Sequence, residues 1–228
     1  MDIIGIDQHL TLAINGSDSL FWDNVMLTTT STLAWTLPFA MLLYIIYKNN
    51  KLKEALLIVL TLALLITVAD RICSGWVKPT VARWRPTQDP TLMYLVDVVN
   101  NYRGGRYGFF SGHACNTFCM ATFLSLLFRS RRATATLFFW CTATTFTRLY
   151  LGVHYLGDVT VGLCVGILLG TLFYIGYDRY IHRRFDPIPL ISEQFTPTGY
   201  RKADINRFVT IVFLNYNLLI IIAMIRSF

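Results

Sequence analysis

The chain has 228 residues, 54% of them hydrophobic and only 14% charged, with a mean hydropathy of +0.49. A soluble domain carries about 25% charged residues, so this composition excludes an ordinary soluble enzyme and points to a protein embedded in a bilayer. The net charge of +7 would suit nucleic acid, but the basic residues fall between apolar spans rather than along one polar face, and no nucleic-acid partner is expected.

Residues 1–16 place apolar side chains at Ile3, Ile4, Ile6, Leu10, Leu12 and Ala13, interrupted by Asp2, Asp7 and His9. That pattern predicts a short helix lying in the membrane interface. It lacks a basic leader and a small-residue cleavage site, so no removable signal peptide is expected. Six long apolar stretches follow, near 20–47, 54–76, 111–128, 133–149, 155–177 and 207–226. A spanning helix needs about 20 mostly apolar residues. The predicted fold is therefore all-α: a polytopic membrane protein of six transmembrane helices with a short N-terminal interfacial helix, a single domain over 1–228. Two connections are long and polar, 77–110 and 178–206. Cys73, Cys115, Cys119, Cys141 and Cys164 form no CxxC pair and read as inert small hydrophobes.

Basic residues set the orientation. Lys48, Lys51 and Lys53, then Arg129, Arg131 and Arg132, then Arg179, Arg183, Arg184, Arg201, Lys202 and Arg207 all fall on one side. That side is expected to be cytoplasmic. The protein is then integral to the cytoplasmic (inner) membrane, with segment 77–110 facing the periplasm or exterior and 178–206 facing the cytoplasm. Arg71, Lys78, Arg83, Arg85, Arg103 and Arg106 run against the trend. Charge at the centre of a bilayer costs about 2.5–3.5 kcal/mol per residue on insertion scales, so a basic cluster on the outer side implies a bound anion.

Three stretches carry the chemistry. Lys78 and Arg85 flank a segment fixed by Pro79 and Pro86; an arginine fork matches phosphate oxygens, and a lysine supplies a point charge. Arg83, between them, is expected to make a headgroup or structural contact. Ser111-Gly112-His113 opens the third span, where unpaired backbone N–H groups and a partial positive charge favour an anion. Ser111 can cap that helix, and Gly112 lets the backbone approach closely. Arg148 ends the fourth span. His154 and Asp158 begin the fifth, four residues apart and therefore stacked on one helical face. A carboxylate one turn away fixes the imidazole tautomer and leaves the other ring nitrogen free. Asp70 beside Arg71 is expected to form a structural ion pair. Asp70, Asp89, Asp97 and Asp158 make no metal-binding pattern, and no metal or other cofactor is expected.

Lys78-x6-Arg85-Pro86, Ser111-Gly112-His113 and Arg148-x5-His154-x3-Asp158 together resemble the three-part signature of the type 2 phosphatidic acid phosphatase (PAP2) superfamily of lipid phosphatases. Order, spacing and six-span layout all match. Two positions depart from the usual pattern: Phe110 where the family has Pro, and Thr147 where it has Ser. The resemblance implies that His154 attacks phosphorus to form a phosphohistidine, oriented by Asp158. It further implies that His113 protonates the leaving oxygen, while Lys78, Arg85, Ser111, Gly112 and Arg148 hold the phosphoryl oxygens. His154 must be neutral while His113 is protonated, so a bell-shaped pH profile is expected.

The expected partners are a lipid phosphate and the surrounding membrane lipids. Phosphatidic acid, phosphatidylglycerol phosphate, an isoprenyl diphosphate and a glycolipid phosphate all present a suitable terminal phosphate. Arg103 and Arg106 favour a second anionic group, as in a diphosphate or glycolipid phosphate. The sequence leaves the oligomeric state open. A phosphoryl-binding carrier or transporter without turnover, or a silent scaffold, would need the cations but neither the His154–Asp158 pair nor a second histidine.

Overall fold

The computed structural model describes residues 3–180 and 193–228. Arg183, Arg184 and the middle of segment 178–206 lie outside the described residues. Within them the chain is all-helical, with two isolated antiparallel bridges, Trp84–Tyr107 and Phe195–Arg201. The helices are α1 (Ile3–Ile14), α2 (Leu20–Thr30), α3 (Thr36–Asn49), α4 (Leu52–Asp70), α5 (Lys78–Val81), α6 (Gly112–Phe128), α7 (Arg131–Tyr150), α8 (Leu156–Tyr180) and α9 (Lys202–Arg226). A π-helical turn, Arg71–Val77, joins α4 to α5. Asp70 and Arg71 do not pair; Asp70 accepts from Ser74 Oγ at 3.0 Å instead. Adjacent helical residues point apart, whereas residues four apart meet.

Three helical segments are long and apolar enough to cross a bilayer: Leu52–Val81, Leu156–Tyr180 and Lys202–Arg226. Helices α2 and α3, bent by 70° where they meet, make a fourth if the pair is one span. Helix α6 has 17 residues, the lower end of the roughly 17–25 that cross a bilayer. Helix α7 has 20 residues but carries Arg131, Arg132, Arg148 and a run of threonines. Two of those threonines turn their hydroxyls onto their own helix: Thr144 donates to Trp140 O at 2.7 Å and Thr147 to Thr144 O at 2.6 Å. Both helices lie inside the bundle, where α6 buries Phe118, Phe123, Leu124 and Phe128 and α7 buries Leu137 and Trp140. Their neighbours, more than lipid, receive their surfaces.

Among the described residues, α6 and α8 share the most extensive seam between helices. Gly162, Gly166 and Gly170 repeat every fourth residue along α8 and lie against the backbone of α6. A Cβ at these positions would fall 2.6, 2.6 and 2.5 Å from the carbonyl oxygens of Ser111, Cys115 and Cys119. Helices without a water-driven force between them associate by such close backbone packing. The seam sets the start of α6, with Ser111-Gly112-His113, beside the start of α8.

Helix α1 is built with its polar side inward. Ile3, Ile4, Ile6 and Leu10 are exposed, while Thr11 is buried. At the far end of the bundle the basic stretches meet one another. Lys48 pairs with Asp204 at 2.8 Å, Arg132 donates to Asn206 at 3.0 Å, and the Arg201 N–H donates to Asn49 Oδ1 at 2.9 Å. The 17 residues of α6 separate that end from Ser111-Gly112-His113 by about 25 Å at 1.5 Å per residue.

Candidate active site

Asp158 is the hub. Its Oδ2 stands 3.4 Å from His154 Nδ1 and accepts the Tyr155 N–H at 3.1 Å. Its Oδ1 accepts from Arg83 Nη1 at 2.8 Å. Its carbonyl oxygen accepts the Ser111 N–H at 2.9 Å, tying the second motif to the third through the backbone. Asp158 and His154 are buried, at 0% and 1% exposure. With Asp158 as acceptor, Nδ1 carries the imidazole proton and Nε2 presents its lone pair.

The start of α8 is capped by a different helix. Gly157 N–H donates to Asp7 Oδ1 at 2.8 Å and Leu156 N–H to Thr11 Oγ1 at 3.0 Å, both acceptors on α1. These bonds satisfy N–H groups that the first turn of a helix cannot pair internally. The second oxygen of Asp7 takes Arg83 Nη2 at 2.7 Å. Arg83 therefore bridges two carboxylates, and its guanidinium lies 4.1 Å over the Tyr155 ring. The Tyr155 hydroxyl in turn donates to Asp89 at 2.8 Å.

On the other side of His154, Arg85 Nη1 lies 3.2 Å from Nε2 and donates to Val153 O at 3.1 Å, and Arg85 Nε donates to Tyr107 O at 3.2 Å. Segment 104–108 wraps this pair. A Cβ at Gly108 would fall 2.8 Å from Asp158 Oδ2, and one at Gly104, where φ is +66°, 2.8 Å from Arg85 Nη1. Arg148 is buried at 2% exposure. It donates to Thr30 Oγ1 and, at 3.1 Å, to the Tyr102 hydroxyl. Its Nε has no partner among the described residues. Lys78 Nζ and Cys73 Sγ face Gly112: a Cβ there would sit 3.7 and 3.4 Å from them. Ser111 Oγ caps α6 by accepting the Ala114 N–H at 3.4 Å.

The geometry thus gathers Lys78, Arg85, Ser111, Gly112, His113, Arg148, His154 and Asp158 at one end of the bundle. Burial holds the His154 pKa well below the usual imidazole value, and the positive charges of Arg85, Arg148 and Lys78, with His113, push it the same way. His154 is therefore neutral at ordinary pH, the state a nucleophile needs. Among the described residues no three His, Cys, Asp or Glu side chains gather as a metal site.

The PAP2 superfamily model matches residues 55–181 of this chain. The chain belongs to the PAP2 superfamily. Two curated relatives are both named lipid A 4'-phosphatase. The protein of Bacteroides thetaiotaomicron is 43% identical over 170 residues, covering 74% of this chain and 76% of the relative. That of Porphyromonas gingivalis is 32% identical over 175 residues, covering 77% and 74%. The fold is also that of the crystal structure of a transmembrane PAP2-type phosphatidylglycerolphosphate phosphatase from Bacillus subtilis. That structure aligns with a TM-score of 0.60 at 21% identity, over 78% of this chain and 87% of the other.

The two departures from the usual PAP2 pattern have structural uses. Phe110 is 3% exposed and its carbonyl accepts from Cys73 Sγ at 3.2 Å. Thr147 is fully buried, its hydroxyl spent inside α7. Arg83, expected to make a headgroup or structural contact, makes a structural one by gripping Asp158. Asp7, read only as an interruption of an apolar helix, is its second partner. The signal for the glycine seam was the Gly162-x3-Gly166-x3-Gly170 spacing.

Proposed function

We propose that this PAP2 protein is a membrane lipid phosphatase that removes a terminal phosphate through a phosphohistidine. His154 Nε2 attacks phosphorus and the bond to the leaving oxygen breaks. His113 gives that oxygen a proton, one it takes up as the bound phosphate's negative charge offsets the surrounding cations. Neutral His113 then takes a proton from water, whose oxygen attacks the phosphohistidine; inorganic phosphate leaves and His154 is restored. Asp158 keeps the proton of His154 on Nδ1 and steadies the positive charge that develops on the ring. Lys78, Arg85, Arg148 and the first turn of α6, from Ser111 and Gly112, neutralise charge on the phosphoryl oxygens as it redistributes. The observation that carries this reading is the position of His154, held by Asp158 at one ring nitrogen and by Arg85 at the other.

The favoured substrate is a phosphorylated, acylated sugar lipid of the lipid A type, as named for the two curated relatives. Exposed Arg103 and Arg106 beside the site support a second anionic group; Arg106 stacks 4.6 Å over Trp84. We further propose six spans, with α6 and α7 among them, and an active site facing the periplasm. The gathering of Lys48, Arg132 and Arg201 at the opposite end supports that orientation. Helix α1 then lies in the outer interface with its isoleucines toward lipid.

The test is phosphate release by the purified protein in detergent across lipid A, phosphatidic acid, phosphatidylglycerol phosphate and an isoprenyl diphosphate. Turnover should be lost in His154→Ala and His113→Ala, with a bell-shaped pH profile in the unaltered protein. Phosphate binding without release, equal in both variants, would favour a carrier and overturn the proposal.

A further inference from the structure

The arginines around His154 differ in what holds them. Both terminal nitrogens of Arg83 end on carboxylates, those of Asp7 and Asp158. Arg148 has no such partner. It is 2% exposed, and among the described residues its side chain donates only to two neutral hydroxyls: Nη1 to Thr30 Oγ1 and Nη2, at 3.1 Å, to the Tyr102 oxygen. Buried charge is ordinarily paired, so a buried arginine without a carboxylate implies an anion that completes it. Neither hydroxyl belongs to the three motifs. Thr30 closes α2 at its 70° bend with α3, and the Trp35 indole N–H fixes that bend by donating to the Thr29 carbonyl at 2.9 Å. Tyr102 follows Asn100 and Asn101, whose φ of +47° and +58° turn segment 77–110 sharply; asparagine visits that left-handed region more readily than most residues. The Tyr102 ring packs against the cluster of Val99, Tyr150, Leu151 and Val153, which includes the stretch of chain joining Arg148 to His154.

A hydroxyl and a carboxylate do different things to an arginine. Each accepts an N–H and fixes the direction of the guanidinium. The carboxylate also cancels the charge and competes with a phosphate for the same fork of donors. A guanidinium carries five N–H donors, so two directed at hydroxyls leave three. We propose that Tyr102 and Thr30 are positioning residues that aim Arg148 at the phosphoryl oxygens while leaving its charge uncancelled. The inference rests on the phosphatase reading. It extends the site to two residues outside the signature, one on segment 77–110 and one at the end of α2.

Two measurements on the full-length protein in detergent test it: phosphate release, and inhibition by orthovanadate, a mimic of the transferring phosphoryl group. Tyr102→Phe keeps the ring packing and removes one acceptor; Thr30→Val keeps the side-chain shape and removes the other. Each should lower kcat/KM by about 10–100-fold, the scale of losing a hydrogen bond to a charged group, and weaken orthovanadate inhibition in step. Thr30→Ser, which restores the hydroxyl, should stay within a few-fold of the unaltered protein. Thr30→Asp separates aiming from mere support. A carboxylate there anchors Arg148 at least as firmly, so the thermal midpoint should not fall below that of Thr30→Val, yet turnover should be depressed at least as far. Unchanged turnover and unchanged orthovanadate inhibition in folded Tyr102→Phe and Thr30→Val would overturn the assignment, as would full turnover in Thr30→Asp; either result leaves the phosphatase reading standing. Should Tyr102→Phe fail to fold, the Thr30 series decides alone. Absence of phosphate release from every lipid phosphate by the unaltered protein, matched by His154→Ala, would overturn the phosphatase reading and this inference with it.

Discussion

Arg83 carries the most informative prediction, because it touches none of the groups assigned to phosphate. Its two N–H groups reach Asp158 Oδ1 at 2.8 Å and Asp7 Oδ2 at 2.7 Å, with about a quarter of the side chain exposed and Asp158 fully buried. Arg83→Leu would leave Asp158 with the Tyr155 N–H and a 3.4 Å contact to His154. Breaking a fully buried ion pair costs about 3–5 kcal/mol; the partial exposure of Arg83 reduces that to about 2–3 kcal/mol. Much of this loss should fall on the placement of the imidazole. Residues one shell out from reacting groups typically carry 10–100-fold, and 100-fold is about 2.7 kcal/mol in the barrier. The expected result is kcat reduced by about 10–100-fold with KM within a few-fold, in protein that still elutes as a folded species. Arg83→Lys should recover little, because an ammonium lacks the fork that spans two carboxylates. A double-mutant cycle with Asp7→Asn should show coupling of about 0.5–3 kcal/mol. Unaltered kcat in folded Arg83→Leu would refute the reasoning that Arg83 holds Asp158 for His154.

Gly166→Ala places a Cβ 2.6 Å from the Cys115 carbonyl oxygen, so α6 and α8 must separate. A loss of about 1–3 kcal/mol is expected for such overpacking, read as a lower thermal midpoint in detergent, together with reduced turnover. Arg85→Gln removes the cation nearest His154 Nε2. That cation pushes the imidazole pKa down, so its removal raises the pKa. The acid limb of the kcat/KM profile should then move to higher pH, in addition to the loss from weaker phosphate binding; an unmoved limb would exclude His154 as the titrating group. Turnover should persist in EDTA, and complete loss on chelation with recovery on adding a divalent metal would require a different mechanism.

The candidate site is readable wherever its logic is local. His154 and Asp158 are one helical turn apart, and helical period alone puts both on one face. Lys78, Arg85, Arg148 and the Ser111-Gly112-His113 turn announce themselves because charge and exposed backbone donors are expensive within apolar sequence. The Asp70–Arg71 pairing failed for an equally local reason, since neighbours on a helix diverge and Ser74, four residues on, is the partner that faces Asp70.

What the sequence by itself determined is the membrane setting, the helical class and the chemical inventory of the site, all consequences of composition and short-range spacing. Tertiary structure decided which charges meet. Arg83 is 76 residues from Asp7 and 75 from Asp158, and nothing in local periodicity selects those two carboxylates from the others. The glycine repeat of α8 stands in the sequence without its partner, because a small side chain permits close approach without naming what approaches. Its packing on α6, and the seating of α1 over the start of α8, fix the distance between the two histidine-bearing turns.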